Sequence, residues 1–208
     1  MKELTKLGII PIDFNVLATA LKGYQSPKDK ISLLENNGSI IRLKKGLYVV
    51  SSETSQQTLS RELVANHLYG PSYISLESAL SFYGLIPERV YTVRSVTNKR
   101  AKRFSTPLGN FEYLTIPNDY YSIGIKQEIV NNEYAYLIAS PEKAICDIIL
   151  CTKNLRIQSM KAMQVFLEED LRINLSVVKT YNTDIIRNCI ETGIKKTELT
   201  QLLKLLEQ

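Results

Sequence analysis

Apolar residues open the chain at the three- and four-residue spacing of amphipathic helices and then give way to short strand-like runs. Phe14, Leu17, Ala18 and Leu21 share one face of the segment 13–22, with Asp13 as its expected N-cap. After the break Gly23-Tyr24-Gln25, the run Ser26-Pro27-Lys28-Asp29 holds a capping serine, a proline at the first helical position and an acid three residues after the cap. A second helix is expected through Ile31, Leu34 and Glu35, ending at Asn36-Asn37-Gly38, where glycine supplies the left-handed cap. Residues 39–43 and 47–50, joined by Lys44-Lys45-Gly46, read as a β-hairpin. Helix, short turn, helix and hairpin is the order of a winged helix-turn-helix, and the polar stretch 51–57 reads as a linker after it.

Leu59, Leu63, Val64 and Leu68 then mark a helix that stops at Gly70-Pro71, and Ser75 is the expected cap of a short helix over 76–83, ended by Gly84. Segments 90–96, 111–116, 123–130 and 133–138 are rich in Tyr, Val, Ile and Thr and predict strands, with Asn131-Asn132 as a hairpin turn between the last two. They are expected to form an antiparallel sheet, with 97–103 as an exposed loop. Ser140-Pro141-Glu142 opens a helix whose Ile145, Ile148 and Ile149 face a core. From Gln158 onward the pattern is helical, with Met160, Met163 and Leu167 on one helix and Leu199, Leu202, Leu203 and Leu206 on the last. The expected architecture is α+β: a winged helix-turn-helix over 1–54, then a mixed domain over 55–208 with an antiparallel sheet and a helical C-terminal part.

Composition narrows the chemistry. A 208-residue chain with 44% hydrophobic and 23% charged residues can bury a real core. The start, MKELTKLGIIPIDFN, has neither the apolar core nor the cleavage site of a secretory signal, and no run reaches the ~18 apolar residues of a membrane span, so a cytoplasmic protein without a membrane partner is expected. Cys146, Cys151 and Cys189 form no CxxC pair and sit among apolar helical residues, which reads as reduced core thiols. The single histidine, His67, reads as a packing or surface residue of its helix. Neither HExxH nor a DxDxDG loop occurs, and there is no GxxxxGK[ST] or GxGxxG cradle, so no metal, cofactor or small-molecule substrate is expected. A metal-dependent nuclease is disfavoured by the absence of any Asp-x-Lys or Glu-x-Lys triplet. No enzymatic role is expected.

The positive signal is charge. The net charge of +5 is modest, but it concentrates in two places. Lys22, Lys28, Lys30, Arg42, Lys44 and Lys45 stand against only Asp29 and Glu35 between residues 22 and 50. In a winged helix the start of the second helix meets base edges and the wing touches the phosphate backbone. Ser26, Lys28 and Lys30 are therefore the candidate base readers, and Arg42, Lys44 and Lys45 the candidate phosphate anchors. The second cluster comprises Arg89, Arg94, Lys99, Arg100, Lys102 and Arg103, with no acid between residues 89 and 111. It is a candidate surface for nucleic acid or an acidic protein, the alternative being a loop kept soluble by its charge. The rival to DNA binding is a winged helix that only packs against a protein partner.

Three motifs carry a family resemblance. Residues 38–49 (GSIIRLKKGLYV) are similar to the wing of the AbiEi antitoxin family, the DNA-binding component of bacterial type IV toxin-antitoxin systems. Residues 73–80 (YISLESAL), followed by Tyr83-Gly84-Leu85-Ile86-Pro87, resemble its helix after the linker, and residues 140–147 (SPEKAICD) its later PEKA-x-x-D helix start. The resemblance implies a repressor of its own operon, with operator DNA as one partner and a co-encoded nucleotidyltransferase-like toxin as the other. It further implies that the C-terminal domain opposes the toxin while the winged helix autoregulates.

Overall fold

The computed structural model describes residues 2–178 and 180–208. Its first unit comprises α1 (Lys2–Thr5), β1 (Ile12–Asp13), α2 (Phe14–Ala20), α3 (Pro27–Asn36), β2 (Ile40–Lys44) and β3 (Leu47–Val50). The Asp13 carboxylate accepts hydrogen bonds from the N–H groups of Asn15 at 2.8 Å and Val16 at 3.0 Å, and the Ser26 hydroxyl accepts one from Asp29 at 3.4 Å. Each cap satisfies backbone donors that the first helical turn leaves unpaired. Gly38, at φ +75°, reverses the chain into the hairpin. The hairpin gains a third strand that the two-residue β1 is too short to announce in sequence: β3 lies between β1 and β2, antiparallel to both. Leu4, Leu17, Leu21, Ile31, Leu34, Ile40, Tyr48 and Val50 form the small core beneath.

Residues 51–57 are not a free linker. They form α4 (Ser52–Ser55), with Ser51 and Ser55 buried. The Ser51 hydroxyl accepts from the Thr54 N–H, and Ser55 donates to the Ser51 carbonyl at 2.9 Å. The hydroxyls that make the segment look like polar linker are spent on its own backbone.

The larger unit follows as α5 (Arg61–Leu68), β4 (Ser72–Ile74), α6 (Leu76–Phe82), β5 (Val93–Thr97), β6 (Lys102–Thr106), β7 (Gly109–Thr115), α7 (Asn118–Tyr121), β8 (Ile125–Val130) and β9 (Tyr134–Ala139). The described chain closes on five α-helices that make up the helical C-terminal region: α8 (Pro141–Cys151), α9 (Met160–Val165) running into a π turn over Phe166–Asp170, then α10 (Leu175–Val178), α11 (Thr183–Glu191) and α12 (Lys196–Leu206). Among the described residues the sheet has six strands in the order β6-β7-β5-β4-β9-β8.

The sheet is mixed, which corrects the antiparallel expectation. β4 runs parallel to β9, and β5 runs parallel to β7. The reason is connectivity: β6 takes the outer side of β7, so β7 returns alongside β5 in the same direction. Two strands went unseen. Ser72–Ile74 is too short to show alternation, and the basic run Lys99-Arg100-Ala101-Lys102-Arg103 hides the start of β6, so that Lys102 and Arg103 lie in a strand instead of a loop.

The two units share packing. Leu43 and Val49 of the hairpin belong to the larger core, and β2 approaches β6. Cys146 and Cys189 are buried in that core and Cys151 is partly buried, all three as free thiols.

At the centre lies a buried ion pair. Lys143 Nζ stands 3.1 Å from Asp147 Oδ1, one helical turn along α8, with both side chains wholly inaccessible. Asp147 Oδ2 accepts from the Tyr73 hydroxyl at 3.0 Å and the Ser75 hydroxyl at 2.5 Å. Lys143 donates to the Tyr120 carbonyl at 3.0 Å and stands over the Tyr120 ring. Burial pushes the Asp147 carboxyl upward, and Lys143, Ser75 and Tyr73 pull against that shift. Ser75 is thus not the helix cap expected of it: it occupies the N-cap position of α6, but its hydroxyl makes no cap bond. Ser140 does cap α8, accepting from the Lys143 N–H at 3.2 Å.

Removing one partner leaves a buried charge uncompensated, so Lys143→Met is expected to cost about 3–5 kcal/mol in urea unfolding. The double change Lys143→Met with Asp147→Asn should cost less than Lys143→Met alone. A double variant as unstable as the sum of the two single ones would show that the pair is not coupled.

Candidate nucleic-acid interface

One candidate anchor of the hairpin, Lys44, and two lysines of the second cluster, Lys99 and Lys102, come together around the rings of Tyr69 and Phe104. Lys44 ends β2, and its ammonium donates to the Leu68 carbonyl at 2.5 Å while lying 5.9 Å from the centre of the Phe104 ring. Lys102 opens β6 and stands 4.9 Å from the Phe104 ring centre and 5.4 Å from that of Tyr69. Lys99, in the turn before β6, donates to the Gly70 carbonyl at 2.6 Å and lies 5.8 Å from the Tyr69 ring centre. The Tyr69 hydroxyl in turn donates to the Arg100 carbonyl at 3.1 Å, pinning the turn that carries these cations. Two rings thus carry three ammonium groups, an arrangement in which the ring faces offset part of the repulsion.

That repulsion is visible in Lys44. Its pKa is lowered from the ordinary lysine value, first by burial and then by Lys102 and Lys99. Among the described residues none of these three lysines forms an ion pair with a carboxylate. Lys99, Arg100 and Lys102 are exposed, as is Lys45 at the hairpin turn. The result is a ridge of positive charge from the hairpin across the sheet edge.

Strand alternation divides the second cluster. Lys102 and Arg103 are consecutive in β6 and so project from opposite faces. Arg103 pairs in register with Glu112 of β7, which pairs in register with Arg94 of β5. The Arg94 guanidinium donates to Glu112 at 3.0 Å and to Glu77 at 2.5 Å, and Arg103 donates to Glu112 at 2.7 Å. These two arginines are neutralised within a cross-strand ladder lining an open groove of about 700 Å³ with Thr92, Ser105, Asn110 and Phe111. They do not join the lysine ridge.

The candidates on α3 are placed differently. Ser26 spends its hydroxyl on the helix cap, Lys28 is exposed, and Lys30 lies 4.7 Å from the centre of the Tyr24 ring. Arg42, on β2, forms a 3.8 Å ion pair with Glu35 of α3. Sequence reading passed over Tyr69 and Phe104, because an aromatic residue in a strand or at a helix end carries no sign that a lysine distant in sequence will rest on it. His67 is exposed on α5, as the surface alternative of its reading has it, with Nδ1 2.9 Å from the Leu63 carbonyl oxygen one helical turn back. Among the described residues no helix is long and apolar enough to cross a membrane. The chain matches no protein-family model and no curated protein.

If the ammonium groups share one field, Lys102→Met should raise the pKa of Lys44 toward the ordinary lysine value and leave the part due to burial. Titration of the Lys44 side-chain resonances by NMR checks this. An unchanged Lys44 titration would mean that the two sites do not interact.

Proposed function

We propose that the protein binds DNA as a transcriptional regulator, with the N-terminal unit acting as a winged helix-turn-helix and the lysine ridge as its backbone-contacting surface. The observation that carries this reading is the meeting of Lys44, Lys99 and Lys102 at the turn end of the hairpin, where among the described residues none of them is ion-paired with a carboxylate. Phosphate oxygens are the natural counter-charge for such a ridge, and each contact would release condensed counterions. On this reading the wing, comprising Arg42, Lys44 and Lys45, extends over the sheet edge through Lys99, Arg100 and Lys102, and the exposed Lys28 at the start of α3 is placed to read base edges.

The resemblance to AbiEi antitoxins supports the wider role: repression of its own operon and opposition to a nucleotidyltransferase-like toxin. It assigns the chain no catalytic step and no cofactor. A second reading, in which the hairpin only packs against protein, draws on the bonds from Lys44 to Leu68 and from Lys99 to Gly70, which occupy two ammonium groups with the chain's own backbone.

Salt dependence separates the two. Lys99→Ala and Lys102→Ala are each expected to weaken binding of the upstream DNA about equally across sequences and to lower the slope of log K against log salt by about 1. Arg103→Ala, whose partner is Glu112, should leave that slope unchanged. Lys28→Ala should change the preference between sequences. Gel shifts over a salt series measure all four, and equal effects of Arg103→Ala and Lys102→Ala would sink the ridge assignment.

A further inference from the structure

The six-stranded sheet has two edges. At one, β6 is approached by β2 of the hairpin, while at the other, β8 pairs only with β9 among the described residues. The direction of the β8 backbone groups follows from its ladder. The Ser140 N–H donates to the Gly124 carbonyl at 2.8 Å, one step beyond the Ile125↔Ala139 register. Antiparallel rungs alternate, so the hydrogen-bonded ones fall at Lys126, Glu128 and Val130, and the backbone N–H and C=O groups of Ile125, Gln127 and Ile129 point away from β9. Leu137, opposite Gln127, agrees with this alternation. Its own N–H and C=O face away from β8 and are taken by the Asn66 side chain at 2.6 and 3.4 Å.

We propose that this edge pairs antiparallel with β8 of a second copy of the chain, about a two-fold axis at Gln127. The strand reads Ile125-Lys126-Gln127-Glu128-Ile129-Val130, and in that register it is complementary to itself. Gln127 opposes Gln127, Lys126 opposes Glu128 of the second copy, and Ile125 opposes Ile129. The Lys126–Glu128 rungs are the non-hydrogen-bonded ones, in which Cα atoms come to about 4.5 Å and side chains are closest. On the other face Ile129, 59% exposed, is set beside Ile125 of the second copy.

The occupant is specified by charge. A lysine in the middle of an edge strand discourages indiscriminate pairing. Here it is offset only by a strand that sets an acid opposite it, and this chain's own strand does so twice about the two-fold axis. The inference does not rest on the nucleic-acid reading, because β8 and the lysine ridge lie at opposite ends of the sheet.

Sedimentation equilibrium of the full chain over a concentration series tests the proposal. The parent should approach twice its chain mass of 23.6 kDa. Lys126→Glu and Glu128→Lys each turn two attractive rungs into repulsive ones and should weaken association by roughly tenfold or more, whereas the double reversal should restore it. Gln127→Pro removes an N–H that points away from β9, and so should abolish the dimer while circular dichroism stays that of the parent. A parent that remains monomeric at every soluble concentration, or single reversals that leave association unchanged, would overturn the proposal. The charge-swap series decides the matter even where the proline variant fails to fold.

Discussion

The arrangement of the larger unit depends on the ion pair between Lys143 and Asp147. Taking two charges fully out of water costs several kcal/mol per ion unless every remaining lone pair and proton finds a partner. That requirement organises the neighbourhood. Asp147 draws the Tyr73 hydroxyl from β4 and the Ser75 hydroxyl from the start of α6, and Lys143 reaches the Tyr120 carbonyl in α7. A strand near the middle of the sheet and three helices are thereby fixed relative to one another. The close approach also constrains Gly124, which has φ +63° and where an added Cβ would come within 2.9 Å of both Lys143 Cβ and Ile185 Cγ2. The motifs 73–80 and 140–147 supply the two halves of this network, so their joint occurrence in one chain has a physical cause.

The surface chemistry is set by the same sheet. Because strand neighbours project to opposite sides, one basic run sends Lys102 to the lysine ridge and Arg103 to the arginine–glutamate ladder. The hairpin that contributes Lys44 to the ridge also approaches β6, so the element that assembles the charge shields a sheet edge that would otherwise be open. At the opposite edge, β8 pairs only with β9 among the described residues. The two ends of one sheet therefore differ in character, with clustered lysines at β6 and an unpaired strand edge at β8 among the described residues.

What the sequence determined by itself was local. The caps at Asp13, Ser26 and Ser140, the glycine reversals at Gly38 and Gly46, the hairpin, the PEKA-x-x-D helix and the α+β composition all follow from residues within a few positions of one another, where intrinsic preference and capping chemistry decide the outcome. The tertiary structure decided everything that joins distant segments. It paired β5 with β7 and β4 with β9 in parallel, because strand order is set by which faces can be buried together. It turned Ser75 from a cap into a ligand of Asp147, 72 residues away, and the segment 51–57 from a linker into a packed turn. It also separated Lys102 from Arg103 and brought Lys102 to Lys44. Charge counts along a chain cannot foresee that division, because the face on which a charge emerges depends on strand register, and register is fixed by the core.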